Sequence, residues 1–183
     1  INNNTGRLSG NSTGDGIQVL LKGIGLQVND NTVTQIIGQN GIFIGYSEAP
    51  SKDVVVSGNT IDIASTTNAN PRGLIIFGTE RGVITDNIIK GTTAGSSYGI
   101  QVAANGTAGN DAGGLAKAEV SAYNLIANNN IYNFDNGIIE TNEGSADPSN
   151  NSYRNNVYNT ITTPLTVLGT KAGVLEMISG NFG

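Results

Sequence analysis

Five short phrases in this chain place Asn two positions before a branched apolar residue: Asn31-Thr32-Val33, Asn59-Thr60-Ile61, Asn87-Ile88-Ile89, Asn129-Asn130-Ile131 and Asn155-Asn156-Val157. Their successive spacings are 28, 28, 42 and 26. Self-similarity at a period of roughly 20 to 50 residues constrains a fold severely, because a unit of that size cannot bury its apolar face alone and must stack on its neighbours. The one long interval exceeds 28 by 14, and the stretch from Ala104 to Lys117 (ANGTAGNDAGGLAK) is a run of mostly small residues with that length. It reads as a protruding loop that leaves the repeat's register unchanged.

A second phrase keeps time with the first. Gly16-Ile17-Gln18-Val19, Gly41-Ile42-Phe43-Ile44, Gly73-Leu74-Ile75-Ile76, Gly99-Ile100-Gln101-Val102, Gly137-Ile138-Ile139 and Pro164-Leu165-Thr166-Val167 each set apolar residues behind a turn former. Period-two alternation over four or five positions, closed by Gly or Asn, is the signature of a short strand. Further strands fall in each unit, such as Val54-Val55-Val56 and Ile61-Asp62-Ile63. The chain holds 26 Gly and 26 Asn against 13% charged residues, which disfavours helices and suits sharp corners. The expected fold is all-β: a solenoid of parallel strands with about six turns, roughly 29 Å long at the usual inter-strand spacing. Residues 1–167 form the repeats and 168–183 a C-terminal extension or the start of another segment. Asn31, Asn59, Asn87, Asn129 and Asn155 are expected to stack at one corner as an amide ladder.

Several functions are disfavoured by composition. The chain has no Cys and no His, so thiol catalysis, Ser-His-Asp arrangements and the usual zinc ligands are absent. A net charge of −5 without a basic run argues against nucleic acid as a partner. Apolar stretches of four or five residues are far too short to cross a bilayer, so no membrane is expected. No phosphate-cradling glycine loop or regular calcium loop is present, and neither cofactor nor metal is expected. The chain opens on Ile1-Asn2-Asn3-Asn4 and reads as part of something longer.

The repeats Val56-Ser57-Gly58-Asn59-Thr60-Ile61 and Ile84-Thr85-Asp86-Asn87-Ile88-Ile89 resemble those of the right-handed parallel β-helix family of the pectate-lyase superfamily, over about residues 16–167. That resemblance implies a single right-handed coil. The Gly-His-Gly of polygalacturonases and the His of alginate epimerases are missing, and the chain is most similar to bacteriophage tailspikes and related depolymerases. The resemblance implies a parallel homotrimer, an extracellular or virion location, and binding and cleavage of a bacterial surface polysaccharide; without His or Cys the acid and base are expected to be carboxylates, and the singly scattered Lys and Arg favour hydrolysis over elimination. A non-enzymatic structural or adhesive β-helix spike module is the alternative.

Loops after the glycine-led strand carry the candidate acids: Glu80 first, then Glu48, Glu140 and Glu143. Two carboxyl groups separated by about 5 to 9.5 Å are what glycoside hydrolysis needs. Glu140 aligns with the inward residues Ile44, Ile76 and Val102, so either the strand ends or bulges there or the acid faces a cleft. Tyr46, Tyr98 and Arg81 are candidate substrate contacts, with Tyr123 a further sugar-stacking candidate, and Glu80 beside Arg81 also reads as a simple ion pair. The outward row Gln18, Phe43, Ile75, Gln101, Ile139 and Thr166 is apolar enough to call for cover by a loop, a ligand or another subunit.

Overall fold

A computed structural model describes residues 1–7, 15–19, 23–36, 39–45, 51–64, 70–92, 96–104, 121–142 and 147–168. Every element among them is a β-strand, and every named pairing is parallel. One wall of the coil stacks β3 (Gln27–Asn29), β7 (Val55–Ser57), β11 (Val83–Thr85), β14 (Leu125–Ala127) and β16 (Ser152–Arg154). A second stacks β1 (Thr5–Arg7), β4 (Thr32–Ile36), β8 (Thr60–Ile63) and β12 (Ile88–Lys90) under the first half of β15 (Asn130–Asn142) and of β17 (Val157–Thr166). The third stacks β2 (Ile17–Val19), β5 (Asn40–Gly45), β9 (Arg72–Phe77) and β13 (Tyr98–Ala104) under the second halves of β15 and β17. Between the third and first walls lie β6 (Ser51–Lys52) and β10 (Thr79–Glu80), continued by bridges at Ile24, Ala122 and Ser149. The chain is a parallel β-solenoid.

From β3 to β16 the coil makes four complete turns, with partial turns at each end, fewer than the six expected. Counting each glycine-led phrase as a turn includes those incomplete end rungs. The 42-residue interval leaves the register intact: Ile84 partners Ile126 and Ile89 partners Ile131. Of the proposed loop Ala104–Lys117, Ala104 is the buried last residue of β13; the rest lies outside the described residues, as do 169–183 of the C-terminal extension.

The core is a bundle of columns, one residue per rung. Val28, Val56, Ile84, Ile126 and Tyr153 form one, and Val33, Ile61, Ile89, Ile131 and Tyr158 another, all at most 1% exposed. Stacking removes these side chains from water where one rung could not, at about 1.5 to 3 kcal/mol for each large aliphatic. A cavity of about 360 Å³ opens into this core at the first rung, lined by Ile1, Asn4, Gly16, Ile17 and Val33 among others.

Opposite the second of these columns runs Gly41, Gly73, Gly99 and Gly137. None of the four has a positive φ, so their role is space rather than turning. A Cβ on Gly73 would collide with Ile89 Cγ2 and stand 2.6 Å from the Gly99 carbonyl oxygen; Gly41 and Gly99 meet the same pair of obstacles. Left-handed corners fall elsewhere. Asn3, Asp30, Gly58, Asp86, Asn128 and Asn155 share φ values of 52° to 65°, and Gly25, Asp53, Arg81, Tyr123 and Asn150 form a second such column. Asn, Asp and Gly tolerate that conformation best.

The residue after the first corner supplies the amide ladder. Each Asn Oδ1 accepts both the backbone N–H and the Nδ2–H of the ladder Asn one rung earlier, through Asn4, Asn31, Asn59, Asn87, Asn129 and Asn156 at 2.9 to 3.1 Å. The Nδ2 of Asn59, Asn87, Asn129 and Asn156 also donates to a backbone oxygen, so buried amides are matched on both sides. Asn155 is not in the ladder. It occupies the exposed left-handed corner with φ of 52°, because the inward residue of its rung is Tyr158 rather than Val157, which moves the ladder slot to Asn156.

Candidate functional site

The outer row of the third wall is in register as Gln18, Phe43, Ile75, Gln101, Ile139 and Thr166. Ile75 and Gln101 are already buried within the chain, at 4% and 1% exposure, whereas Phe43 and Ile139 are half-buried. Phe77, two residues beyond Ile75, lies on the same face, and its ring packs on Phe43 with centroids 6.2 Å apart and planes inclined by 28°. Gln101 Nε2 donates to Thr141 Oγ1 at 2.7 Å, one rung further on. The wall thus carries an aromatic pair flanked by polar groups.

Where this wall turns, charges alternate from rung to rung. Lys52 is the register partner of Glu80, and their side chains pair at 2.9 Å. One position later, in the left-handed corner, Arg81 reaches down to Asp53 with Nε and Nη2 at 2.8 and 2.9 Å and across to Glu80 with Nη1 at 2.8 Å. The bidentate bond from Arg81 holds the Asp53 carboxyl below its ordinary value, and Asp53 in turn raises the Arg81 guanidinium. Tyr123 follows in the same column and is 61% exposed.

Against the residues expected to carry chemistry, the geometry is informative. Both carboxylate oxygens of Glu80 are engaged by cations, Oε1 by Arg81 and Oε2 by Lys52. Arg81 is committed to two carboxylates. Tyr98 is half-buried at the start of β13, between Arg72 and Asn136 in register, and so stands at the opposite end of the strand from Glu80 and Arg81. Tyr46, Glu48 and Glu143 lie outside the described residues. Among the described residues no three acidic side chains gather closely enough to hold a metal ion, and no helix is long and apolar enough to cross a membrane.

Glu140 corrects both alternatives offered for it. The strand neither ends nor bulges there: Val102 pairs with Glu140, Ala103 with Thr141, and β15 runs on to Asn142. The side chain points into the coil at 2% exposure, in the column of Val19, Ile44, Ile76 and Val102, and not into a cleft. Its Oε1 accepts from Asn151 Nδ2 at 3.0 Å and from the Tyr153 hydroxyl at 2.6 Å, and its Oε2 from the Leu168 N–H at 2.8 Å. These donors make a buried carboxyl tolerable near the last rungs, where the aliphatic columns give way to polar groups.

Asn151 belongs to a second ladder at the second corner that sequence reasoning missed. Asn124 Oδ1 accepts the Gly82 N–H, and Asn151 Oδ1 accepts both the N–H and the Nδ2–H of Asn124. The signal was present in the sequence, since Tyr123-Asn124 and Asn150-Asn151 are 27 residues apart, but Leu26, Val54 and Gly82 hold that slot in earlier rungs. Glu140→Leu is expected to lower stability by about 3 kcal/mol or more in urea denaturation, because it strands three donors. Glu140→Gln should also destabilise, by turning an NH2 group toward one of them. A Gln variant of unchanged stability would contradict this structural role.

No protein-family model, curated protein or solved structure matches the chain. The parallel coil therefore stands on its own geometry, and the surface has to be read from its chemistry.

Proposed function

We propose that this β-solenoid is the polysaccharide-binding module of a tailspike-type or secreted spike protein, working outside the cell or on a virion, and that its described acids hold the fold rather than cleave the glycan. The observation that carries this reading is the Phe43–Phe77 pair, half-buried on the outer face of the third wall, with Glu80 of the charged corner three residues along the chain from Phe77. Aromatic faces bury the apolar side of a sugar ring, while side chains along the rungs meet its hydroxyls. The resemblance to pectate-lyase-like and tailspike repeats points the same way. Engagement of both Glu80 oxygens and burial of Glu140 support binding without cleavage, and of the four candidate acids Glu48 and Glu143 remain for a depolymerase.

Affinity electrophoresis through gels containing purified capsular polysaccharide or lipopolysaccharide tests the reading, with a reducing-end assay on the same mixtures. The wild-type chain should be retarded by at least one polysaccharide without releasing reducing ends, and Phe43→Ala with Phe77→Ala should restore free migration in a folded protein. Absence of retardation across a broad panel would overturn the proposal. Released oligosaccharides that disappear with Glu48→Gln or Glu143→Gln would replace it with the depolymerase reading.

One observation favours a second use of the same wall. Ile139 is half-buried on the face that holds Phe43, and a parallel homotrimer would cover both. Sedimentation separates the two uses: a trimer that Phe43→Ala dissociates would make this wall a subunit interface.

A further inference from the structure

The two ends of the coil differ. At the last rung the inward residues Tyr153 and Tyr158 are at most 1% exposed, whereas at the first rung residues 1–6 are all exposed and β1, among the described strands, pairs with β4 alone. The amide ladder stops half-made at that open edge. Each later ladder Asn reaches back with Nδ2 to a carbonyl of the rung before: Asn31 to Ile1, Asn59 to Val28, Asn87 to Val56, Asn129 to Ile84 and Asn156 to Ile126. Asn4 Nδ2 turns instead to the Asn2 carbonyl of its own rung at 3.0 Å, and among the described residues nothing donates to Asn4 Oδ1.

The later rungs spell out what this edge lacks. The residue after each ladder Asn donates its N–H to the ladder Asn carbonyl of the rung before, as Thr32 does to Asn4 and Thr60 to Asn31. Thr5 holds that place in the first rung, with no such carbonyl among the described residues. The inward slot beside it is empty as well. Gly6 partners Val33 at the head of the column of Val33, Ile61, Ile89 and Ile131, a Cβ on it would meet nothing within 4 Å, and the cavity of about 360 Å³ opens there. Unpaired strand edges take up further strands through their backbone groups, and side-chain pockets decide which. This edge asks for an Asn whose N–H and Nδ2–H both meet Asn4 Oδ1, with its own carbonyl for the Thr5 N–H. It also asks for a carbonyl three residues earlier for Asn4 Nδ2, and a branched aliphatic two residues later for the cavity. A glycine just before that Asn turns the left-handed corner, as Gly58 does.

We infer that the first rung is a docking site for an extended segment of another polypeptide, reading Gly-Asn-x-aliphatic, which adds a parallel strand against β1 and seats its aliphatic side chain in the cavity. A second copy of this coil is the poorer partner, because each of its earlier phrases is covered by the next rung and Tyr158 of the last is already buried. The inference does not rest on the polysaccharide reading. Its probe is the acetylated and amidated peptide of residues 55–63, VVSGNTIDI, which carries Gly58, Asn59 and Ile61 in the required order. In nitrogen–proton correlation spectra of the full chain, this peptide should shift the amides of Thr5, Gly6 and Val33 and slow hydrogen exchange at Thr5. Peptides with Asn59→Ala or Ile61→Asp should bind about tenfold or more weakly. Gly6→Ile in the chain, which fills the cavity from a position where a Cβ meets nothing, should abolish binding and leave signals of the later rungs in place.

Unshifted first-rung amides at millimolar peptide would overturn the site. Binding that survives both peptide substitutions would overturn it too, by showing edge pairing without recognition of the Asn or the aliphatic; this comparison stands even where Gly6→Ile fails to fold. Shifts confined to the last rung, at Val157 and Tyr158, would place the peptide at the wrong end. Self-association of the chain alone in sedimentation, lost in Gly6→Ile, would give the edge to a second copy and overturn the partner named here.

Discussion

Gly73→Ala is expected to destabilise the chain by about 3 kcal/mol, near the upper end of what overpacking a close-packed core costs. The added methyl meets two obstacles at once, Ile89 Cγ2 across the core and the Gly99 carbonyl oxygen one rung on. A flexible side-chain tip could yield to it; Ile89 is fully buried and β-branched, and the carbonyl is backbone of a paired strand, which cannot step aside alone. Gly6→Ala is the internal control, because a Cβ there has nothing within 4 Å and needs no unusual φ. It should change stability by less than about 0.5 kcal/mol. Urea denaturation followed by circular dichroism measures both, and similar midpoints for the two variants would contradict the spacing role of this column.

Asn156→Ala should have an effect of comparable size. It strands the N–H and Nδ2–H of Asn129 and the carbonyl of Ile126, all buried, at about 1 to 3 kcal/mol for each group left unmatched. The neighbouring substitution Asn155→Gly should cost little, since Asn155 is exposed and sits at a positive φ that glycine adopts freely. Equal losses from the two substitutions, in the same denaturation assay, would show that the ladder does not end where the hydrogen bonds place it.

This pair also shows how far the sequence could be read. The period gave the coil and four of the ladder positions, because Asn31, Asn59, Asn87 and Asn129 all stand two residues before an inward Val or Ile. The last rung departed from the rule when an aromatic, Tyr158, took the inward slot and left the branched residue Val157 outside it. Asn4 escaped notice because its rung has Gly6 where later rungs have Val or Ile. The glycine column was visible as punctuation, but its cause was not, since close approach across a core depends on which columns face each other.

The candidate site was less legible for the same reason. Glu140 was correctly aligned with the inward residues, yet the donors that accept its burial, Asn151, Tyr153 and Leu168, come from later segments that only the coil brings overhead. Glu80 was singled out together with its neighbour Arg81, but Lys52 and Asp53, which complete the charged corner, lie 28 residues earlier and become neighbours only through the register. The aromatic pair of Phe43 and Phe77 depends on that register as well.

The ladder, the core columns and the surface rows share one premise, that equivalent positions of successive repeats lie one rung apart, and the 42-residue interval puts that premise to its hardest test. The side-chain amides of Asn87 and Asn129 test it most directly in a nuclear Overhauser spectrum of the folded chain, read together with hydrogen exchange. The account predicts a cross-peak between the Asn87 Nδ2 protons and the Asn129 side-chain amide, with both amides slow to exchange. Rapid exchange at both, and no cross-peak between them, would contradict it.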